Sequence, residues 1–98
     1  MANFEILVIY EAKSALDKEL FIKKMIESGT LDAIKNEDGC IKYEYHVSNE
    51  NEKAILLYEI WQSPEHQRVH MQTPHMKTAM EIKQEHINSV TLRKLTDF

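Results

Sequence analysis

Residues 40–61 read CIKYEYHVSNENEKAILLYEIW, and in this stretch two strand-forming runs meet across a short polar reversal. In the first run Ile41, Tyr43, Tyr45 and Val47 alternate with Cys40, Lys42, Glu44 and His46, the period-two pattern of a half-buried strand. Ser48 to Glu52 supply the reversal, so the second run, Ala54 to Trp61, pairs antiparallel as a hairpin. Ile55, Leu57 and Trp61 share one face with Glu59, while Ala54, Leu56, Tyr58 and Ile60 occupy the other. Both faces of this second strand are largely apolar.

Outward from the hairpin, each flank repeats the same logic. On the N-terminal side, Asp38-Gly39 marks a turn, and Gly29 suits the left-handed residue that ends a helix, with Thr30 able to cap a further short turn carrying Leu31 and Ile34. Before them, Ser14 and Asp17 resemble a capping box, and Leu16, Leu20, Phe21, Met25 and Ile26 recur at helical spacing, which predicts a helix from about Ala15 to Ser28. Phe4, Ile6, Val8 and Tyr10 alternate with Leu7 and Ile9, so the first strand is apolar on both sides and belongs at the centre of a sheet. On the C-terminal side, Ser63-Pro64 and Thr73-Pro74 each place a hydroxyl before a proline at the first helical position, predicting two helical pieces with a bend near Thr73. The second piece runs to about His86 with Met76, Ala79, Met80 and Ile82 as its apolar stripe, and Asn88 to Leu95 returns as a strand.

The order is βαββαβ, which predicts a ferredoxin-like α+β fold: a four-stranded antiparallel sheet with helices on one face. The uncovered face of the first and third strands is apolar, and a chain of 98 residues buries only about 60–65% of its unfolded surface. A homodimer packed sheet to sheet is the expected cover.

Residues 1–98 are enough for one domain and too few for a second core. Apolar residues make up 43% and charged residues 29%, a folded rather than a disordered balance. Twelve Lys and Arg against sixteen Asp and Glu give a net charge of −4 with no basic run, which argues against nucleic acid and anionic membranes as partners. The longest apolar runs, Ile6 to Tyr10 and Ala54 to Tyr58, fall far short of the ~20 residues that span a bilayer, and the N-terminus resembles no secretory signal. Cys40 is the single cysteine and has no disulfide partner, which fits a cytoplasmic location.

Of five histidines, His66, His70 and His75 lie close together. His66 and His70, four apart, share a helix face, but no Glu follows the first and no third ligand stands at a fixed offset, so no metal is expected and His66 is read as an exposed surface residue. His75 precedes Ala79 and Ile82 by helical spacing and belongs to the stripe facing the sheet, with His70 at the rim of the same region. Either could bond a backbone carbonyl near the bend, or serve as a general base at the mouth of an apolar cavity. Trp61 with Tyr43 and Tyr45 is either core or a set of donors for a developing oxyanion, and Met76 and Met80 are gap fillers or a pliable wall for a flat ligand. A Gly-rich phosphate loop, a nucleophile elbow and a Cys with a neighbouring base are all missing, which disfavours nucleotide and flavin cofactors.

Gly39-Cys40-Ile41-Lys42-Tyr43-Glu44, Leu57-Tyr58-Glu59-Ile60-Trp61 and His70-Met71-Gln72-Thr73-Pro74-His75-Met76-Lys77 together resemble, in order and spacing, the antibiotic biosynthesis monooxygenase family, and most of all its small quinol monooxygenases. The resemblance implies a dimeric α+β barrel with a pocket in each protomer between sheet and helices. It also implies oxidation of electron-rich aromatic diols or polyketides by O2 without metal or flavin. The family includes haem degraders too, but aligned through Trp61 their ligand histidine falls near Met80, their helical tryptophan on His70 and their first-strand asparagine near Leu7, which argues against haem.

The resulting expectation is a cofactor-independent monooxygenase of a small aromatic substrate. His70 or His75 is the base, and Trp61, Tyr43, Tyr45, Met76 and Met80 line the substrate site. One alternative is an isomerase of a small phosphorylated ketone, which would need Lys42, Arg68 or Lys77 to point inward. Another is a non-catalytic ligand-binding or stress dimer, favoured if Met76, Met80 and Trp61 themselves fill the cavity.

Overall fold

In the computed structural model, which describes residues 3–94, the chain runs β1 (Phe4–Ala12), α1 (Ala15–Glu27), α2 (Thr30–Lys35), β2 (Cys40–Val47), β3 (Ala54–Trp61), α3 (Pro64–His70), α4 (Pro74–His86) and β4 (Ile87–Lys94). The four strands form one antiparallel sheet in the order β2-β3-β1-β4, which puts the two doubly apolar strands in its middle. This is the ferredoxin-like α+β arrangement. The last strand begins one residue earlier than its pattern suggests, and its expected end at Leu95 lies outside the described residues.

Local chemistry sets most boundaries. Ser14 Oγ accepts from the Asp17 amide at 3.0 Å and donates to the Asp17 carboxylate at 2.8 Å, closing the first turn of α1. Ser63 caps α3 by accepting from the His66 amide. The other two expected caps are made differently. Gly29, at φ 79°, itself occupies the cap of α2, so Thr30 becomes the first helical residue and turns its buried hydroxyl to Ser28 Oγ, 2.8 Å away. Thr73 makes no cap bond to α4; its Oγ1 donates to the His70 carbonyl at 2.9 Å and ties the bend between α3 and α4.

Period-two burial puts Ile6, Val8 and Tyr10 of β1 and Ile55, Leu57, Glu59 and Trp61 of β3 on the inner face. They pack against Phe21 and Met25 of α1, Ile34 of α2, and Met76, Ala79 and Ile82 of α4. On the outer face Leu7, Leu56, Tyr58 and Ile60 are only half-buried. Val90 and Leu92 of β4 pair with Tyr10 and Val8 yet remain exposed. Among the described residues no helix is long and apolar enough to cross a membrane.

Candidate active site

The bend between α3 and α4 separates His70, the last residue of α3, from His75, the second residue of α4, and turns both rings toward the loop that follows α2. Glu37, in that loop, sits between them. Its Oε2 lies 2.8 Å from His70 Nδ1 and 2.7 Å from His75 Nε2, with Oε1 3.1 Å from His70 Nδ1. A carboxylate only accepts, so each imidazole presents its N–H to Glu37, and in the neutral ring the opposite nitrogen keeps a lone pair. The side chain of His70 is 2% exposed and that of His75 is 25% exposed, so the pair spans from interior to surface. Burial pulls the His70 pKa below the ordinary imidazole value, and Glu37 pulls it back only in part.

The inner face of the sheet continues the array. Trp61 lies against the His70 ring with centroids 4.7 Å apart and planes at 35°, and Tyr43 meets the same ring at 5.7 Å. Trp61 Nε1–H donates to Glu59 Oε1 at 3.0 Å. Residues two apart on a strand share a face, so this bond follows from the sequence Glu59-Ile60-Trp61. Burial pushes the Glu59 carboxyl up to about 7, against the opposing pull of the Trp61 N–H and of Lys83. Lys83, from α4, stands 5.3 Å above the Tyr10 ring, and its own pKa is lowered by burial. The Tyr45 hydroxyl is buried, and its ring meets that of Tyr43 edge-on at 5.9 Å. Burial raises the Cys40 thiol to about 11, which leaves it protonated at neutral pH.

Of the residues expected at the site, His70, His75, Trp61, Tyr43 and Tyr45 are therefore brought together, the two histidines through Glu37. Met76 is buried in the same core, whereas Met80 is 48% exposed and lines a separate surface groove of about 340 Å³ with Lys83 and Val90. Trp61, His70, Tyr43 and Met76 are each no more than 3% exposed, so their side chains fill the interior. The open space beside them is a groove of about 310 Å³ lined by Glu37, Asp38, Glu65, His66, Val69 and Thr73. His66, expected on the surface, is half-buried instead: it packs over Gly39 and bonds Ser63 Oγ through Nδ1 at 2.7 Å, because the glycine leaves room for its ring. Among the described residues no three His, Cys, Asp or Glu groups are arranged to hold a metal.

Glu37, Glu59 and Lys83 are the charged members that the sequence did not single out. Glu59 carried a signal, as a carboxylate alternating with Ile55, Leu57 and Trp61 on a buried face. Glu37 carried none, since its partners lie 33 and 38 positions away.

Fold and site together define a ferredoxin-like α+β domain in which a carboxylate braces two imidazoles beside an aromatic inner sheet face. Residues 24–82 match the model of the family described as antibiotic biosynthesis monooxygenase, and the chain belongs to that family. No curated protein matches it significantly. Among solved structures it is similar to a protein of Pseudomonas aeruginosa, with TM-score 0.82 and 14% identity over 100% of this chain and 96% of that one. It is also similar to a Bacteroides thetaiotaomicron protein described as of unknown function and a possible oxidoreductase, with TM-score 0.79 and 21% identity over 96% and 98% of the two chains. A third, described as an antibiotic biosynthesis monooxygenase, matches with TM-score 0.81 and 14% identity over 97% and 98%. At these identities the likeness is one of fold.

Proposed function

We propose that the protein is a cofactor-independent monooxygenase that oxidises a small electron-rich aromatic substrate of the quinol or polyketide kind with O2, as a homodimer. The observation that carries this reading is Glu37 holding His70 Nδ1 and His75 Nε2, which leaves a neutral imidazole nitrogen free to take a proton. Triplet oxygen reacts poorly with a neutral diol but accepts one electron from its anion, after which the radical pair recombines. One oxygen atom enters the ring, the other leaves as water, and the substrate supplies the electrons.

Taking a phenolic proton of pKa ~10 with an ordinary imidazole of pKa ~6.5 is uphill by roughly 5 kcal/mol, and by more at His70, whose pKa burial lowers. The Tyr45 hydroxyl, beside Tyr43 on the inner sheet face, is a donor for the resulting oxyanion, and one preorganised donor contributes ~3 kcal/mol. The half-buried apolar residues of the outer sheet face, Leu7, Leu56 and Ile60, support a second copy as cover.

Oxygen uptake with a panel of hydroquinones tests the reading. Turnover that falls at least tenfold when His70 and His75 are both replaced by Ala supports it, and no turnover above buffer rejects it. The second reading, a non-catalytic binding dimer, draws on the filled interior: Trp61 and Met76 occupy the space themselves. Thermal stabilisation by a quinol without oxygen uptake would favour it. The isomerase alternative finds Lys42, Arg68 and Lys77 half-buried or exposed outside the imidazole cluster, with Lys42 paired to Glu44 and Arg68 to Glu65.

A further inference from the structure

A hydrogen bond and a ring contact join the base cluster to the charged pair behind it. Trp61 touches His70 with its ring and donates its N–H to Glu59, so the indole links the two directly. Its ring orientation is set at one end by that N–H bond, in a place where Glu59 is 5% exposed and water does not compete. We propose that Glu59 is a positioning residue for His70: its carboxylate holds the Trp61 indole against the imidazole, and protonation of the carboxyl loosens that hold. The bearing of this on turnover rests on the function proposed above; the linkage itself does not.

The physical basis is the strength of the bond. A hydrogen bond to an ionised carboxylate is roughly twice as strong as one to its neutral form. The indole in turn shields one face of His70 from water, and desolvation is what keeps that imidazole neutral. Charge on Glu59 therefore reaches the base without touching it. Lys83 from α4 faces Glu59 and favours its ionised form, while Glu37 from the loop before β2 opposes it. The phenols of Tyr10 on β1 and of Tyr43 and Tyr45 on β2 also face Glu59, and burial holds all three well above their ordinary value, so they stay neutral beside it.

The chain contains one tryptophan, so a single indole N–H resonance reports this bond directly. We expect that resonance to shift in one step as pH is raised across roughly pH 5 to 9. The step should persist in His70→Asn, vanish in Glu59→Gln while the resonance stays sharp, and move up by about one pH unit or more in Lys83→Met, which removes the facing cation. A step that survives Glu59→Gln, or one lost only in His70→Asn, overturns the proposal. If Glu59→Gln does not fold, Lys83→Met decides: an unmoved step refutes the linkage.

In oxygen uptake, Glu59→Gln should remove the pH dependence of kcat near neutrality and leave KM within about twofold, the mark of positioning rather than binding. A protein that oxidises no substrate but shows the expected indole titrations leaves the linkage standing and rejects the monooxygenase reading alone.

Discussion

Replacing Glu59 by Gln removes a carboxyl whose ionisation the fold opposes, and the consequence is a change in how stability varies with pH. The folded protein raises this carboxyl from its ordinary 4.5 to about 7 through burial, so the native state holds the proton more tightly than the unfolded chain does. The stabilisation is fully present below about pH 4.5 and is lost as pH rises through about 7. A rise of this size corresponds to roughly 3 kcal/mol between the two limits. Gln keeps the acceptor for Trp61 but brings a buried NH2 whose unmet bonds cost about 1–3 kcal/mol at every pH. That cost cancels when variant and parent are compared at two pH values. Urea unfolding at fixed protein concentration, near pH 4.5 and near pH 8, should show the stability difference between variant and parent shifting in the variant's favour by about 3 kcal/mol on going from the acid to the alkaline condition. Parallel pH curves for the two proteins would refute the claim that Glu59 is held near neutrality by its surroundings.

Two glycines of nearly equal φ separate backbone strain from collision: Gly29→Ala should cost about 1 kcal/mol, since nothing lies within 4 Å of the new Cβ. Gly39→Ala should cost distinctly more, because its Cβ would meet the His66 ring at 2.2 Å; denaturant melts that reverse this order would refute the reading. Asp17, held below the ordinary carboxylate range by hydrogen bonds from His86 and Ser14, contributes stability above that range that is lost on acidification through its depressed pKa. Asp17→Asn should therefore lower the melting temperature at neutral pH with a deficit that shrinks in acid, and a deficit constant with pH would count against it. If the proposed homodimer packs through the outer sheet face, Leu56→Glu there should give a monomer in sedimentation where the parent gives a dimer, with far-UV circular dichroism retained; equal masses for the two proteins would refute that packing.

How much of this was legible follows from which physics acts locally. The strand alternation at Ile41 to Val47 and Ala54 to Trp61, the Ser14–Asp17 box and the two hydroxyl–proline starts depend on neighbours within a few residues, and the elements they predict are present. Thr73 stands at the N-cap of α4 as its position before Pro74 predicts, but its hydroxyl goes to the His70 carbonyl, while Gly29 takes the cap of α2 and the Thr30 hydroxyl meets Ser28; residue type alone does not decide such competitions. At the site, helical spacing marked His75 and strand spacing marked Trp61. Glu37 becomes visible only when the fold carries the α2–β2 loop against the α3–α4 bend, and Lys83 only when α4 crosses Tyr10. His70 also lies deeper than the rim position expected of it, since Trp61 and Tyr43 pack against its ring.

Among the described residues the two buried histidines each meet a carboxylate through Nδ1 at nearly equal length, and geometry alone does not say which contact is structural. His86 Nδ1 meets Asp17 at 2.7 Å and His70 Nδ1 meets Glu37 at 2.8 Å. The direction of the pKa shifts around them separates the two. At Asp17 the surroundings favour the charged form, and the residue also closes the first turn of α1 while tying it to the end of α4, so its charge reinforces the fold. Around Glu37 the balance is opposite: His70 is pushed toward neutrality, Lys83 is pushed the same way, and Glu59 is kept half-protonated near neutral pH. A small domain with a marginal core gains no stability from ionisable groups whose charges it opposes, and such groups gather where chemistry needs them poised. Removing charge at Asp17 should weaken the fold at neutral pH, whereas removing it at Glu59 should relieve it as pH rises, and that difference in sign separates a carboxylate that stabilises the fold from one whose charge the fold opposes.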